Sequence, residues 1–203
     1  MPAILIVRYH RAVPNFRRAI VPGGTFFFTV VTQGRAPFLC DEPARRILRT
    51  ALRECRRRWP FQIDAIVLLP DHIHAIWNLP PNDSAYSKHW AWIKKEFTKA
   101  WLAQGGAQQP LTDGQRRDSR RGVFQPKFWE HTIRNDRDFE RHVDYIHYNP
   151  VKHKLAKRPR DWPYSSFHRS VRLGIYPLDW GCQLNDIDAR RFSFSDITVS
   201  ARE

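Results

Sequence analysis

The feature that most constrains the fold is the tract "FQIDAIVLLPDHIHAIWNLP", Phe61 to Pro80. It contains two apolar runs rich in β-branched residues, each too short for a typical helix, with Pro70-Asp71 between them. Pro and Asp punctuate a chain as turn residues, so the two runs are expected as strands of an antiparallel hairpin. A protein containing this hairpin must build a sheet around it. The remaining segments then need only be tested for what they add to that sheet.

Upstream, "GGTFFFTVVT" reads as a further buried strand, with Gly23 and Gly24 forming the turn before it. "DEPARRILRTALRECRRRW" follows as a helix. Asp41 stands at its N-cap, Pro43 in its first turn, and Ile47, Leu48, Ala51, Leu52 and Cys55 along its apolar stripe. From about Tyr86 to Leu102, the residues Tyr86, Trp90, Ile93, Phe97 and Trp101 recur at helical spacing and read as core, with Lys88, Lys95 and Lys99 on the far side. "KFWEHTIR" is a fourth strand, and a last helix is expected over residues 137–149, stopped by Pro150. The order strand, helix, strand, strand, helix, strand, helix defines an α/β protein of the ferredoxin-like (RRM-like) plait, an antiparallel sheet with helices on one face plus an added C-terminal helix and irregular tail.

Three regions are expected: a basic lead-in at 1–22, the main folded domain at 23–150 and a C-terminal extension at 151–203. Within the domain, the polar, Gly-bearing and basic stretch 103–123 reads as a mobile loop. Charge narrows the function. Lys and Arg number 34 against 20 Asp and Glu, a net charge of +14, and an excess of this size points to a polyanionic partner. The three cysteines are odd in number, widely spaced and without a C-x-x-C, which argues against a disulfide framework or a cysteine zinc site and fits a reducing cytoplasm. The N-terminal apolar patch is followed, not preceded, by positive charge and makes a poor signal peptide. No apolar run approaches the ~20 residues needed to span a bilayer.

Two features carry chemistry. His72 and His74 are separated by one residue in a strand, so both imidazoles point to one face, either as a chelating pair for a metal or as polar residues on a solvated surface. In "DFERHVDYIHYN", Phe139, Val143 and Ile146 form the stripe expected to dock on the sheet, while Tyr145 falls away from it with Asn149 one turn further on. A free tyrosine is a poor nucleophile at neutral pH, since its pKa near ~10 leaves well under 1% phenolate. A metal on a scissile phosphate offsets that weakness.

The segments "LPDHIHAIWNLP", "QPKFWEHTIRN", "HVDYIHYNPVKH" and "DWPYSSFHR" together resemble the REP-associated tyrosine transposases, part of the HUH single-tyrosine group in which a bulky apolar residue separates two histidines. The resemblance runs from about Gly23 to Trp180 and implies an RRM-like enzyme that cuts and rejoins single-stranded DNA carrying hairpins of repetitive extragenic palindromes. It implies Tyr145 as nucleophile forming a 5′-phosphotyrosine, and His72, His74 and Asn149 as ligands of Mg2+ or Mn2+. His142, one turn before Tyr145, is a candidate base. Arg17, Arg18, Arg134, Lys152, Lys154 and Arg158 are expected to contact DNA phosphates. A monomer acting in the cytoplasm on the nucleoid, with no membrane association, is expected. The competing reading is a non-catalytic ferredoxin-like module that binds single-stranded nucleic acid.

Overall fold

A computed structural model describes residues 18–182 of the chain. The elements are β1 (Thr25–Val31), α1 (Glu42–Arg58), β2 (Gln62–Leu68), β3 (His72–Asn78), α2 (Tyr86–Ala103), α3 (Asp113–Arg117), β4 (Trp129–Thr132), α4 (Asp136–Lys152) and α5 (Phe167–Arg172). The four strands form one antiparallel sheet in the order β2-β3-β1-β4. That order, with α1 and α2 packed together on one face, is the expected plait. The β2–β3 hairpin turns at Pro70-Asp71 as its sequence requires, pairing Val67 with His74 and Leu68 with Ile73. Gly23 enters β1 at φ +71°, with Pro81 Cα only 3.0 Å from where a Cβ would stand, so the turn needs a residue without a side chain.

Strand alternation separates two cores. Phe26, Phe28 and Val30 of β1 and Ile73, Ala75 and Trp77 of β3 face the α1–α2 layer. There Trp77 stacks between Phe61 and Trp90, each at a centroid distance of 4.2 Å. The stripe of α2 read as core is core: Tyr86, Trp90, Ile93, Phe97 and Trp101 are all buried. Asp41 occupies the N-cap of α1 in extended conformation, but its side chain makes no capping bond.

The opposite face carries Phe27, Ala65, Val67, Leu69 and Ile76, and α4 lies across it. This docking differs from the expected stripe. His142, Tyr145, Ile146 and Asn149 are the buried residues that face the sheet, whereas Phe139 and Val143 are only partly buried. Hydropathy alone favours the apolar stripe, but a sheet face that presents histidines and a threonine takes a phenol and an amide as readily as it takes valine.

Three further segments differ from the expectation. Pro150 does not end α4, which continues to Lys152 with His153 donating its N–H to the Asn149 carbonyl at 3.0 Å. The loss of one N–H near a helix end costs little when the next turn closes past it. The stretch 103–123 contains a short capped helix, α3, in which Thr112 and Gln115 form a reciprocal capping box. Within the described residues, the segment after 151 carries α5. The Trp162 indole donates to the Leu68 carbonyl at 3.0 Å, the Ser166 N–H donates to the Ile66 carbonyl and the Ser166 hydroxyl accepts from the Ile66 N–H, so the extension covers an otherwise open strand.

Candidate active site

His72 and His74 lie on β3 at its junction with the Pro70-Asp71 turn, and both are buried, at 2% and 0% exposure. Alternation sends them to the α4 side, and their rings meet edge to face at 4.8 Å. Each ring is held through Nδ1. The Asp71 carboxylate lies 2.6 Å from His72 Nδ1, and Thr29 of β1 is hydrogen-bonded to His74 Nδ1 at 3.0 Å. Arg35 in turn donates to Asp71 at 2.8 Å. Burial pushes the Asp71 carboxyl up, but the hydrogen bond and charge of His72, and then those of Arg35, outweigh burial and hold it at about 2. An ionised Asp71 can only accept, so His72 carries a proton on Nδ1, and Nε2 is the nitrogen left to ligate when the ring is neutral. Thr29 does the same for His74 when its hydroxyl accepts from Nδ1–H. Outer partners of this kind orient imidazoles that ligate metals, and the donor set fits a divalent ion.

Tyr145 comes to this pair from α4. Its ring lies edge-on to His74 at 5.2 Å and to Phe27 at 5.8 Å, and the residue is fully buried. Asn149, one turn on, is also fully buried. Lys152 places Nζ 3.4 Å from the Tyr145 hydroxyl and 5.0 Å from its ring centroid. His153, at the helix C-cap, sets its ring 5.3 Å from that of His72. Tyr145, Asn149, Lys152 and His153 thus follow the i, i+4, i+7, i+8 line of one helix face. The continuation of α4 through Pro150 brings the last two into place.

The other expected residues are dispersed. Arg18 pairs with Glu130 at 2.7 Å and lies 3.9 Å over the Phe128 ring. Glu130 opposes Phe28 in the register, which puts Arg18 on the α2 side of the sheet, away from His72 and His74. Arg134 and Lys154 are exposed, and Arg158 is paired with Asp161 at 2.9 Å. Arg17 falls outside the described residues. His142 is engaged by Asp138 and stacks on His131 at 4.6 Å. His153, Thr29, Asp71 and Arg35 also belong to the site and carry no motif of their own in the sequence. Asp71 is a turn former by its place after Pro70, although an acidic residue beside a histidine pair is itself a signal for an orienting partner.

Together these elements define a ferredoxin-like α/β protein in which a helical tyrosine faces an imidazole pair across one side of the sheet. A REP-associated tyrosine transposase of Escherichia coli K12 is 42% identical over 175 residues, covering 86% of this chain and 95% of that one. A relative from Haemophilus influenzae assigned to the same class is 43% identical over 167 residues, 82% of this chain and 93% of that one. A solved structure, a REP-associated tyrosine transposase bound to a REP hairpin, superposes with a TM-score of 0.67 at 41% identity, covering 82% of this chain and 90% of that one. No family model matches. The chain belongs to the REP-associated tyrosine transposases, a family of enzymes.

Proposed function

We propose that the protein is a metal-dependent single-stranded DNA endonuclease and strand transferase that acts on REP-type hairpin DNA through a 5′-phosphotyrosine on Tyr145. The observation that carries this reading is the meeting of the Tyr145 ring with His74 at 5.2 Å inside one buried cluster. His72 and His74 would hold the ion, Mg2+ or Mn2+, with the Asn149 amide oxygen as third ligand. Bound there, it would withdraw charge from the scissile phosphate. Imidazole donors suit manganese better than magnesium.

Tyr145 loses its phenolic proton and its oxygen bonds to phosphorus. The bond from phosphorus to the 3′ oxygen breaks, and that oxygen takes up a proton, balancing the one lost by Tyr145, and leaves as a 3′-hydroxyl. Attack by a second 3′-hydroxyl reverses the exchange and frees the tyrosine, so bond energy is conserved and no nucleotide is consumed. The Lys152 ammonium stabilises the phenolate at 3.4 Å. Arg134, Lys152, Lys154 and Arg158, with the excess charge elsewhere, supply salt-sensitive attraction to the backbone. We assign the protein to the cytoplasm and the nucleoid as a monomer. No helix among the described residues is long and apolar enough to cross a membrane.

The test uses labelled single-stranded hairpin DNA with Mn2+. Cleavage with a denaturation-resistant protein–DNA adduct is expected, both abolished in Tyr145→Phe and by chelation. An adduct that persists in Tyr145→Phe overturns the assignment. Tight binding without cleavage under any divalent ion would establish the non-catalytic reading instead.

A further inference from the structure

We propose that His131, Asp138 and His142 form a second metal site, separate from the His72–His74 pair, that takes a zinc-like ion and clamps the start of α4 to β4. His131 stands on β4 opposite Phe27, on the sheet face that α4 covers. Asp138 and His142 are one turn apart on α4 and lie on one line of the helix. One donor atom from each residue lies within 4.8 Å of the other two. His131 Nε2 is 2.8 Å from Asp138 Oδ2, and His142 Nδ1 is 3.1 Å from Asp138 Oδ1.

Two imidazoles and one carboxylate make a catalytic-type or accessory zinc set, with bonds of about 2.0–2.2 Å that place tetrahedral donors roughly 3.3 Å apart. The observed separations are those of hydrogen bonds, a few tenths of an ångström shorter. All three donor atoms lie within 4.8 Å of one another, so an ion enters by displacing the two shared protons and drawing the donors around it. The charge states suit it. Burial pushes the Asp138 carboxyl up, but hydrogen bonds from His131 and the Arg134 N–H, with the nearby histidine charge, bring it below its ordinary value. Burial holds His142 below its ordinary value as well, so the carboxylate faces an imidazole that burial keeps from charging.

In the metal-free arrangement His142 Nδ1 also donates to the Asp138 carbonyl at 2.7 Å. Binding moves that proton to Nε2, and the His131 proton from Nε2 to Nδ1, so both rings change tautomer without releasing a proton. Arg134 N–H donates to Asp138 Oδ2 at 3.0 Å and orients the carboxylate. The side chains of His131 and Asp138 are 22% and 18% exposed, against 4% for His142. The fourth position thus opens to solvent, and an ion can enter without unfolding. Imidazole donors favour zinc over magnesium.

The experiment is zinc titration of chelator-treated full-length protein, read by calorimetry, by the visible absorption of Co2+ as a substitute, and by thermal unfolding. His72→Gln/His74→Gln protein is expected to retain one zinc equivalent and a zinc-dependent rise in Tm. Adding His131→Gln or Asp138→Asn should weaken that binding at least 100-fold and remove the Tm rise, with an unchanged circular dichroism spectrum. If the double variant does not fold, His131→Gln in the otherwise native chain must lose one equivalent relative to the unsubstituted protein. Equal stoichiometry and affinity with and without His131 overturns the proposal and leaves a hydrogen-bonded relay only. Because nothing is read from DNA cleavage, this result is independent of the Tyr145 assignment.

Discussion

Replacing Lys152 with glutamine isolates what a single positive charge contributes to the proposed attack. Its ammonium is 3.4 Å from the Tyr145 oxygen, and the tyrosine is fully buried while the lysine is half-buried. Coulomb attraction between unit charges at that distance is about 1 kcal/mol at the dielectric of water and about 5 kcal/mol at an effective value near 20. The half-buried setting puts the phenolate stabilisation between these limits, which corresponds to a loss of roughly ten-fold to a few thousand-fold in rate. The assay is single-turnover adduct formation at saturating hairpin DNA, with affinity measured separately. Lys152→Gln should slow the saturated rate by an amount in that range, and Lys152→Arg, which keeps the charge, should recover much of it. If Lys152 acts only on the DNA backbone, affinity and its salt dependence fall while the saturated rate stays that of the native chain. That outcome refutes the reasoning.

Other consequences can be checked without the reaction. Thr29→Val and Asp71→Asn each remove an orienting partner of the histidine pair, and each should weaken Mn2+ binding about 10- to 100-fold by calorimetry while leaving the fold intact. Lys94 donates to the Gln125 and Pro126 carbonyls, and burial, then Arg18 and Arg120, lower it to about 8. Its pKa is depressed in the folded state, so between about pH 8 and the ordinary lysine value near ~10.4 the unfolded chain binds more protons, and stability rises with pH across that window. Chemical denaturation at pH 8 and pH 10 should show this gain, and Lys94→Met should reduce it. Trp77 is fully buried between Phe61 and Trp90, so Trp77→Ala should cost about 3–5 kcal/mol in denaturant unfolding. Trp77→Phe should cost much less, since the buried indole N–H makes no hydrogen bond.

Most of the fold was legible because its signals are local and repeat. Pro70-Asp71 between two apolar runs allows little but a hairpin. The three- and four-residue spacing from Tyr86 to Trp101 allows little but a helix with one buried side. The histidine pair was legible for the same reason, since a period of two fixes both rings on one face whatever the tertiary context. What failed to show was the chemistry of the face that receives α4. Hydropathy put Phe139 and Val143 inward and Tyr145 aside, yet His74, Thr29 and Phe27 make a mixed surface on which Tyr145 and Asn149 are the better fit.

Pro150 shows why the rest of the site was hidden. Read as a stop, it leaves Lys152 and His153 in a loop with no defined direction, and then only their charge can be used, as generic contacts to phosphate. Read as one missing N–H close to a helix end, it lets α4 close another turn through the His153 N–H and the Asn149 carbonyl. The same eight-residue spacing then carries Tyr145 to His153 along a single face, with one end at the His74 ring and the other at the His72 ring. The proline also lacks the donor that would have bonded the Ile146 carbonyl. The helix therefore gives up one bond in the turn between the tyrosine and the histidine, where both side chains must adjust to the same strand. Its tolerance there follows from the sheet beneath it: Tyr145 and Ile146 are buried against β1, β2 and β3, Asn149 is fully buried, and tertiary packing holds a turn that propensity alone would end.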